Sequence, residues 1–370
     1  MSRRVACTLH DVARVAGVST ATVSRVVHGK DRVRPSTRQR VLEVVEALGF
    51  VPDSAAQSLV WQRKEVIGLV SVAPRGPETD VERESVAFIE EVLRGVQMAL
   101  RPVGWSVLIW VPADADRSDA YRQLLKLSAK VDGLLIVEGI VSSEELARLA
   151  ARVPIVLAAG SLDELHADVV DADNWSGTTA LARHLLEQHG KKRLFYVSGP
   201  AEAPDAQERR HAFEEAVARH PGAVMTGCFE GRFAASSGQL AVREILAGPG
   251  RKLPDAIVCG NDQMAIGVMR ELQAAGIRVP ADIAVTGFDD IRLGALLNPA
   301  LTTVRQSLRL LGERACSRLL ERIADPALPR RAERLPTELI VRESCGCPPA
   351  QHLLYRPAVA HSPAADPAEG

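Results

Sequence analysis

Apolar positions near the N-terminus recur at helical spacing. Leu9, Val12, Ala13 and Ala16 fall on one face of a first short helix. Thr8, with Asp11 three positions on, opens it in the manner of a capping box, and Gly17 suits the left-handed residue that closes it. Ser19 then caps a second helix whose inward face is Val23, Val26 and Val27. Pro35-Ser36 starts a third, with Val41, Val44, Val45 and Leu48 inward and Gly49 as its stop. Three helices in about fifty residues can close a minimal core.

From Glu65 the period changes. Buried-strand runs alternate with helical stretches: 66–72, 105–111, 133–137, 154–157 and 169–170, with a helix ending near Leu100 after the first run. A second series follows at 194–198, 256–259 and 283–287. Strand–helix alternation implies parallel sheets covered on both faces, and two series imply two lobes. The expected fold is therefore α/β, a small all-α helix-turn-helix head followed by two doubly wound parallel-sheet lobes. Ligands of such sheets sit beyond the carboxyl ends of the strands, where the lobes would face each other.

Two segments fall outside these patterns. Residues 51–64 contain Pro52-Asp53-Ser54 and then Ala55-Ala56-Gln57-Ser58-Leu59-Val60. A helix here would be too short to hold alone in water and would form only when docked. Leu59 is then either an exposed wedge for the DNA minor groove or part of a plain linker packed on the body. Residues 346–370, rich in Pro and Ala without heptads, are expected to be a disordered tail.

Charge placement changes the picture more than composition does. The 370-residue chain is 46% hydrophobic and 25% charged with a net charge of −1, ordinary for a globular protein. Residues 1–64, however, hold eleven Lys/Arg against five Asp/Glu, a net of +6, and the remainder carries −7. A basic head on an acidic body suits a polyanion-binding module. On the second helix, Thr20, Ala21, Ser24 and Arg25 point away from the core, as in a helix offered to the major groove. Arg32, Arg34, Arg38 and Arg40 are candidates for phosphate contacts, which position a protein without reading sequence.

The six cysteines form no C-x-x-C ligand pairs, so no metal and no cofactor is expected. Cys345-Gly346-Cys347 reads as a surface coincidence at a domain end in preference to a redox pair. No signal peptide and no membrane-spanning run stands out, so a cytoplasmic protein with reduced thiols is expected.

Along residues 8–345 the chain resembles the lactose/galactose repressor family. Ala16-Gly17-Val18-Ser19 and Thr22-Val23-Ser24-Arg25-Val26 look like its DNA-binding signature, and Ala56-Gln57-Ser58-Leu59 like its hinge helix. Asp173-Asn174, His184-Leu185, Ser198-Gly199-Pro200, Asn261–Ala265, Gly287-Phe288-Asp289-Asp290 and Leu301–Gln306 look like its body signatures. The resemblance implies a homodimeric transcription regulator, a repressor of near-palindromic operator DNA, with a two-lobed body of periplasmic-binding-protein type. Thr20, Ala21 and Arg25 would contact base edges, and Arg25 can bond guanine O6 and N7 together. Thr8, Ser19, Ser24, Arg32 and Arg34 would support the contact, and Leu59 would be the minor-groove wedge. Arg209, Phe233, Asn261, Asp289 and Gln306 would bind a sugar or related polyol.

The same resemblance sets the domains. The head is 1–50, the hinge 51–64 and the body 65–345. The first lobe takes about 65–173 and 307–335, the second about 174–306 and 336–345. Three departures mark the pocket. Ala73–Glu78 replaces a usual Asn-Pro-Phe segment, Ala158-Ala159-Gly160 replaces a usual aspartate, and Asp205 stands for a small hydroxyl residue. Read without the family, Asp289 could cap a helix and Arg209 could pair at the surface with Glu208 or Glu214. The rivals are a small-molecule binding protein, a co-repressed regulator with a non-sugar ligand, and an enzyme. No P-loop, G-x-S-x-G, H-E-x-x-H or dinucleotide glycine motif supports the last.

Overall fold

The computed structural model of the chain describes residues 7–27, 33–50, 63–71, 86–111, 117–137, 142–161, 166–248 and 252–348. Leu59, Arg32, the segment 73–78 and the tail beyond Pro348 lie outside the described residues.

The head is three helices, α1 (Leu9–Ala16), α2 (Thr20–Val27) and α3 (Pro35–Leu48). Val12, Val23 and Val41, one from each, are fully buried against one another with Ala13, Ala16 and Val26. One core position differs from the periodic pattern. Leu48 is 38% exposed, and Phe50 fills the core in its stead. Gly49 takes a left-handed φ of 57°, and the Phe50 N–H then bonds the Val45 carbonyl at 3.0 Å. That helix-ending reversal turns the chain inward two residues after the last helical one.

The body holds two parallel sheets. The first has the order β11-β5-β4-β3-β1-β2, from β1 (Val66–Val70), β2 (Ser106–Trp110), β3 (Gly133–Val137), β4 (Ile155–Ala158), β5 (Asp168–Ala172) and β11 (Ala332–Leu335). Every residue of β3, β4 and β5 is buried, as strands covered on both faces require. The second has the order β7-β6-β8-β9, from β6 (Arg193–Ser198), β7 (Val224–Glu230), β8 (Ala256–Cys259) and β9 (Ala284–Thr286). A separate antiparallel pair joins β10 (Thr303–Gln306) to β12 (Thr337–Ile340).

The chain crosses between the two sheets three times: after β5, after β10 and after β11. The first and third crossings lie side by side. The Asp173 N–H bonds the Leu335 carbonyl at 2.7 Å, and the Thr337 hydroxyl donates to the Asp173 carbonyl at 2.9 Å. After the second crossing, α11 (Leu308–Ala324) returns to pack on α4 (Val86–Leu100) in the first lobe. Their backbones meet at two glycines. A Cβ on Gly95 would lie 1.9 Å from the Arg309 carbonyl oxygen, and one on Gly312 2.1 Å from that of Val92. On the same helix, Arg318 and Arg322 converge on Asp168 at the start of β5, which is fully buried.

Candidate functional site

In the head, both helix starts are pinned by side chains. The Asp11 N–H donates to the Thr8 hydroxyl at 3.3 Å, and the Asp11 carboxylate accepts from the Thr8 N–H at 3.0 Å, completing the capping box. Gly17 holds a φ of 64°. The Ser19 hydroxyl accepts from the Thr22 N–H at 3.2 Å and caps α2. With Val23 and Val26 buried, Ala21 and Arg25 are exposed and Thr20 and Ser24 half-buried. Arg34 is exposed at the start of α3. The outward face of α2 thus carries one long, exposed hydrogen-bond donor, Arg25, beside small Thr20 and Ala21. Thr8 and Ser19 spend their hydroxyls on the caps, so their own contribution is to hold α1 and α2 in place.

In the body, the expected ligand residues gather at the carboxyl ends of the second sheet. Arg209, on α8 (Pro204–Arg219), is 3% exposed and central. Its Nε donates to Asn174 Oδ1 at 2.8 Å, and Nη1 donates to the Gly260 carbonyl at 2.8 Å. Nη2 pairs with Asp205 Oδ2 at 3.1 Å, and Nη1 lies 3.9 Å from Asp289 Oδ1. The guanidinium also stacks 3.9 Å over the Phe288 ring. The Gln306 amide donates to Asp289 Oδ1 at 2.5 Å. Asn261 donates to the Phe233 carbonyl at 3.1 Å while its Oδ1 caps α10 (Asp262–Ala274) through the Met264 N–H. The Phe233 ring lies against Gly199, where an added Cβ would meet it at 2.3 Å.

Arg209, Asp289 and Gln306 therefore share one network, and Asn261 with Phe233 forms a bonded pair beside it, next in sequence to the Gly260 carbonyl that Arg209 holds. A surface ion pair of Arg209 does not form. Arg210 takes Glu214 at 2.7 Å, and Arg334 takes Glu208 at 3.0 Å. Asp289 does not cap a helix either. It sits at a φ of 123°, a strained value for a side-chain-bearing residue, and the following Asp290 is at 58°. Buried Asp262 helps hold this turn, accepting the Ile291 N–H at 2.8 Å and the Thr303 hydroxyl at 2.5 Å.

Sequence reasoning did not assign three neighbours: Asp171, Asn174 and the pairing role of Asp205. The last had a signal, since Asp205 and Arg209 are spaced i,i+4 on one helix. Asn174 bonds Asp171 at 3.0 Å as well as Arg209, so the network reaches the first crossing between lobes. Gln306 places it at the second. Ala159, after β4, is buried at a φ of 60° and offers only a methyl group.

Electrostatically the cluster holds three carboxyls around one guanidinium. Burial raises Asp289, and Arg209 only partly opposes it. Burial, reinforced by Asp205, pushes Asp171 up to about 8. A carboxyl raised in the folded state adds stability that is complete below its unfolded value near 4 and is lost as pH rises through the folded one. The urea midpoint of the ligand-free chain should therefore fall between pH 6 and pH 9, and Asp171→Asn should flatten that fall. Equal pH slopes in the two proteins would refute the assignment. Asp205 Oδ1 is buried and makes no hydrogen bond among the described residues, an acceptor suited to a ligand hydroxyl.

Comparison with known proteins agrees with both halves. Residues 8–53 match the model of bacterial regulatory proteins of the lacI family, and 182–345 match a periplasmic binding protein-like domain. The chain is 32% identical over 344 residues to the HTH-type transcriptional repressor PurR of Aliivibrio salmonicida, covering 91% of this chain and 98% of that protein. It is 33% identical over 346 residues to the ribose operon repressor of Escherichia coli, covering 91% and 99%. Among solved structures it is similar to the Lac repressor dimer bound to operator and an anti-inducer, with a TM-score of 0.79 and 27% identity over 92% of this chain and 99% of that one. It is also similar to the regulator CelR in complex with cellobiose, with a TM-score of 0.65 and 29% identity over 91% and 99%. Among the described residues no helix is long and apolar enough to cross a membrane.

Proposed function

This chain belongs to the lacI family of bacterial regulatory proteins, and from that we propose that it is a sequence-specific, DNA-binding transcriptional repressor controlled by a small-molecule effector. It works in the cytoplasm as a homodimer whose two heads occupy the half-sites of a near-palindromic operator. The observation that carries the DNA half is the exposed Arg25 on a helix whose start Ser19 fixes. Arg25 reads a guanine, Thr20 and Ala21 give apolar contact to a neighbouring base, and Ser24 and Arg34 bind the backbone. Arg32 and Leu59, which lie outside the described residues, complete the proposal as a phosphate contact and a minor-groove wedge.

The effector is a saccharide or related polyol. A guanidinium fork, a carboxylate with one free oxygen and a strained acidic turn offer paired donors and acceptors to adjacent hydroxyls, and Phe233 offers a flat apolar face. The cellobiose-bound relative supports that chemistry. The ligand acts through the crossings, since Asn174 and Gln306 both belong to the network it would enter. It shifts operator affinity by as much as it prefers one lobe arrangement over the other, and as an inducer it weakens binding.

The test of the DNA half is Arg25→Ala. Operator affinity should fall by about 1–3 kcal/mol in a gel shift while binding to random duplex is spared. An equal loss on both would remove Arg25 from base reading.

A further inference from the structure

The Cys345-Gly346-Cys347 run is not a surface coincidence. Cys345 is fully buried and Cys347 half-buried, and both sulfurs meet two histidines brought from 155 residues or more away in sequence. His184 and His189 lie at the end of α7 (Asn174–Arg183), where the helix continues as a π turn over His184–Gln188. In an α-helix residues five apart point in different directions, whereas the wider π turn returns the fifth residue to the same side. The two Nε2 atoms accordingly stand 3.2 Å apart. Cys345 Sγ is 3.4 Å from His184 Nε2, and Cys347 Sγ is 3.3 Å from His189 Nε2 and 3.8 Å from His184 Nε2. All four ligand atoms lie within 4.8 Å of one another.

We propose that His184, His189, Cys345 and Cys347 form a Cys2His2 site for a tetrahedral, thiophilic divalent cation of the zinc class. Zinc bonds of about 2.0–2.1 Å to nitrogen and 2.3 Å to sulfur imply tetrahedron edges of about 3.3 Å between nitrogens and 3.6 Å between nitrogen and sulfur. The four distances above depart from those edges by about 0.3 Å or less. Hydrogen bonding alone accounts poorly for the arrangement. His184 Nε2 faces three partners at once and can serve only one with a single proton or lone pair.

The surroundings are those of a prepared site. Gly346, at a φ of 106°, lets both sulfurs face one side. The turn that carries them is fastened by the Ser344 hydroxyl, which donates to the Val285 carbonyl at 2.6 Å and accepts from the Thr302 N–H at 2.8 Å. Glu343 accepts the Ala300 N–H at 2.7 Å. The Thr302 hydroxyl donates to Cys345 Sγ at 3.1 Å, an outer contact that steadies a thiolate ligand. On binding, each of the two thiols loses its proton to solvent as the metal–sulfur bond forms. The metal ties the end of the body to α7, whose other end carries Asn174 of the ligand network, so its role is structural. Spacing rules missed it because the ligands come as His-x4-His and Cys-x-Cys from distant segments.

The test uses the full chain, reduced and free of any histidine tag. After dialysis against zinc, one equivalent per chain should remain by elemental analysis. Cobalt(II) should give tetrahedral d–d bands with thiolate-to-cobalt charge transfer. Cys347→Ser and His189→Ala, each checked for a native circular-dichroism spectrum, should lose the charge-transfer band or the metal equivalent. Cys228→Ser, a thiol outside the cluster, should keep both. Zinc should raise the melting temperature of the wild type and not of the first two variants. A wild-type chain that retains no zinc, or a Cys347→Ser chain with an unchanged cobalt spectrum, overturns the site.

Discussion

Arg209→Met is expected to abolish the melting-temperature rise that a bound saccharide produces. The same change should lower the stability of the ligand-free chain by about 3–5 kcal/mol, because buried charges lose their counter-charge. Among the described residues Arg209 is the cation paired with Asp205 and set 3.9 Å from Asp289, and it holds Asn174 and the Gly260 carbonyl besides. Methionine keeps much of the volume, so packing over Phe288 is largely preserved. The two readouts separate the roles. A melting-temperature rise with saccharide that survives in a destabilised Arg209→Met chain would leave Arg209 a structural residue and move the ligand elsewhere.

Asp168→Asn should destabilise the chain by a similar amount, about 3–5 kcal/mol, since it takes the carboxylate from buried Arg322 and leaves Arg318 only its pair with Glu321. Asp168 accepts from Arg318 Nε and Nη2 at 2.9 Å, from Arg322 Nε at 2.9 Å and from the Arg331 N–H at 2.8 Å. Without the carboxylate, two nearly buried guanidinium groups face each other beside β5. Burial, the largest influence on Asp168, pushes its carboxyl upward, but Arg322, the Arg331 N–H and Arg318 together outweigh it and hold it below the usual value. A carboxyl depressed in this way contributes fully above its unfolded value near 3.9, and the contribution is lost as pH falls through the folded one. Urea unfolding at pH 7 and in acid should therefore show the gap between wild type and variant narrowing as pH drops. A gap under about 1 kcal/mol at pH 7 would mean the arginines find other partners in the variant.

The head was the most legible part of the chain because its signals are local. The Thr8–Asp11 box, Gly17 and Ser19 each act within a few residues, and the valines repeat at helical spacing. Phe50 escaped because its burial depends on a reversal at Gly49 and not on periodicity. In the body, the strands covered on both faces announced themselves as apolar runs. Edge strand β7, with Gly227 within it and an exposed, alternating pattern, did not, and neither did the charged edge strand β11. The residues around Arg209 were singled out by family motif and not by pattern. Its partners Asp171 and Asn174 come from the first crossing, which only the fold brings to Arg209. The histidine–cysteine cluster lay beyond any spacing rule, because it needs a π turn and the end of the body to meet in space.

Sequence-specific reading of DNA by α2 is the central claim, and selection from a random-sequence duplex library followed by sequencing tests it most directly. Wild-type protein should enrich a near-palindromic site with a fixed guanine in each half, and Arg25→Ala should lose that guanine while still retaining duplex. Wild-type protein that enriches no sequence, or an Arg25→Ala chain that enriches the same site with the same guanine, would contradict it.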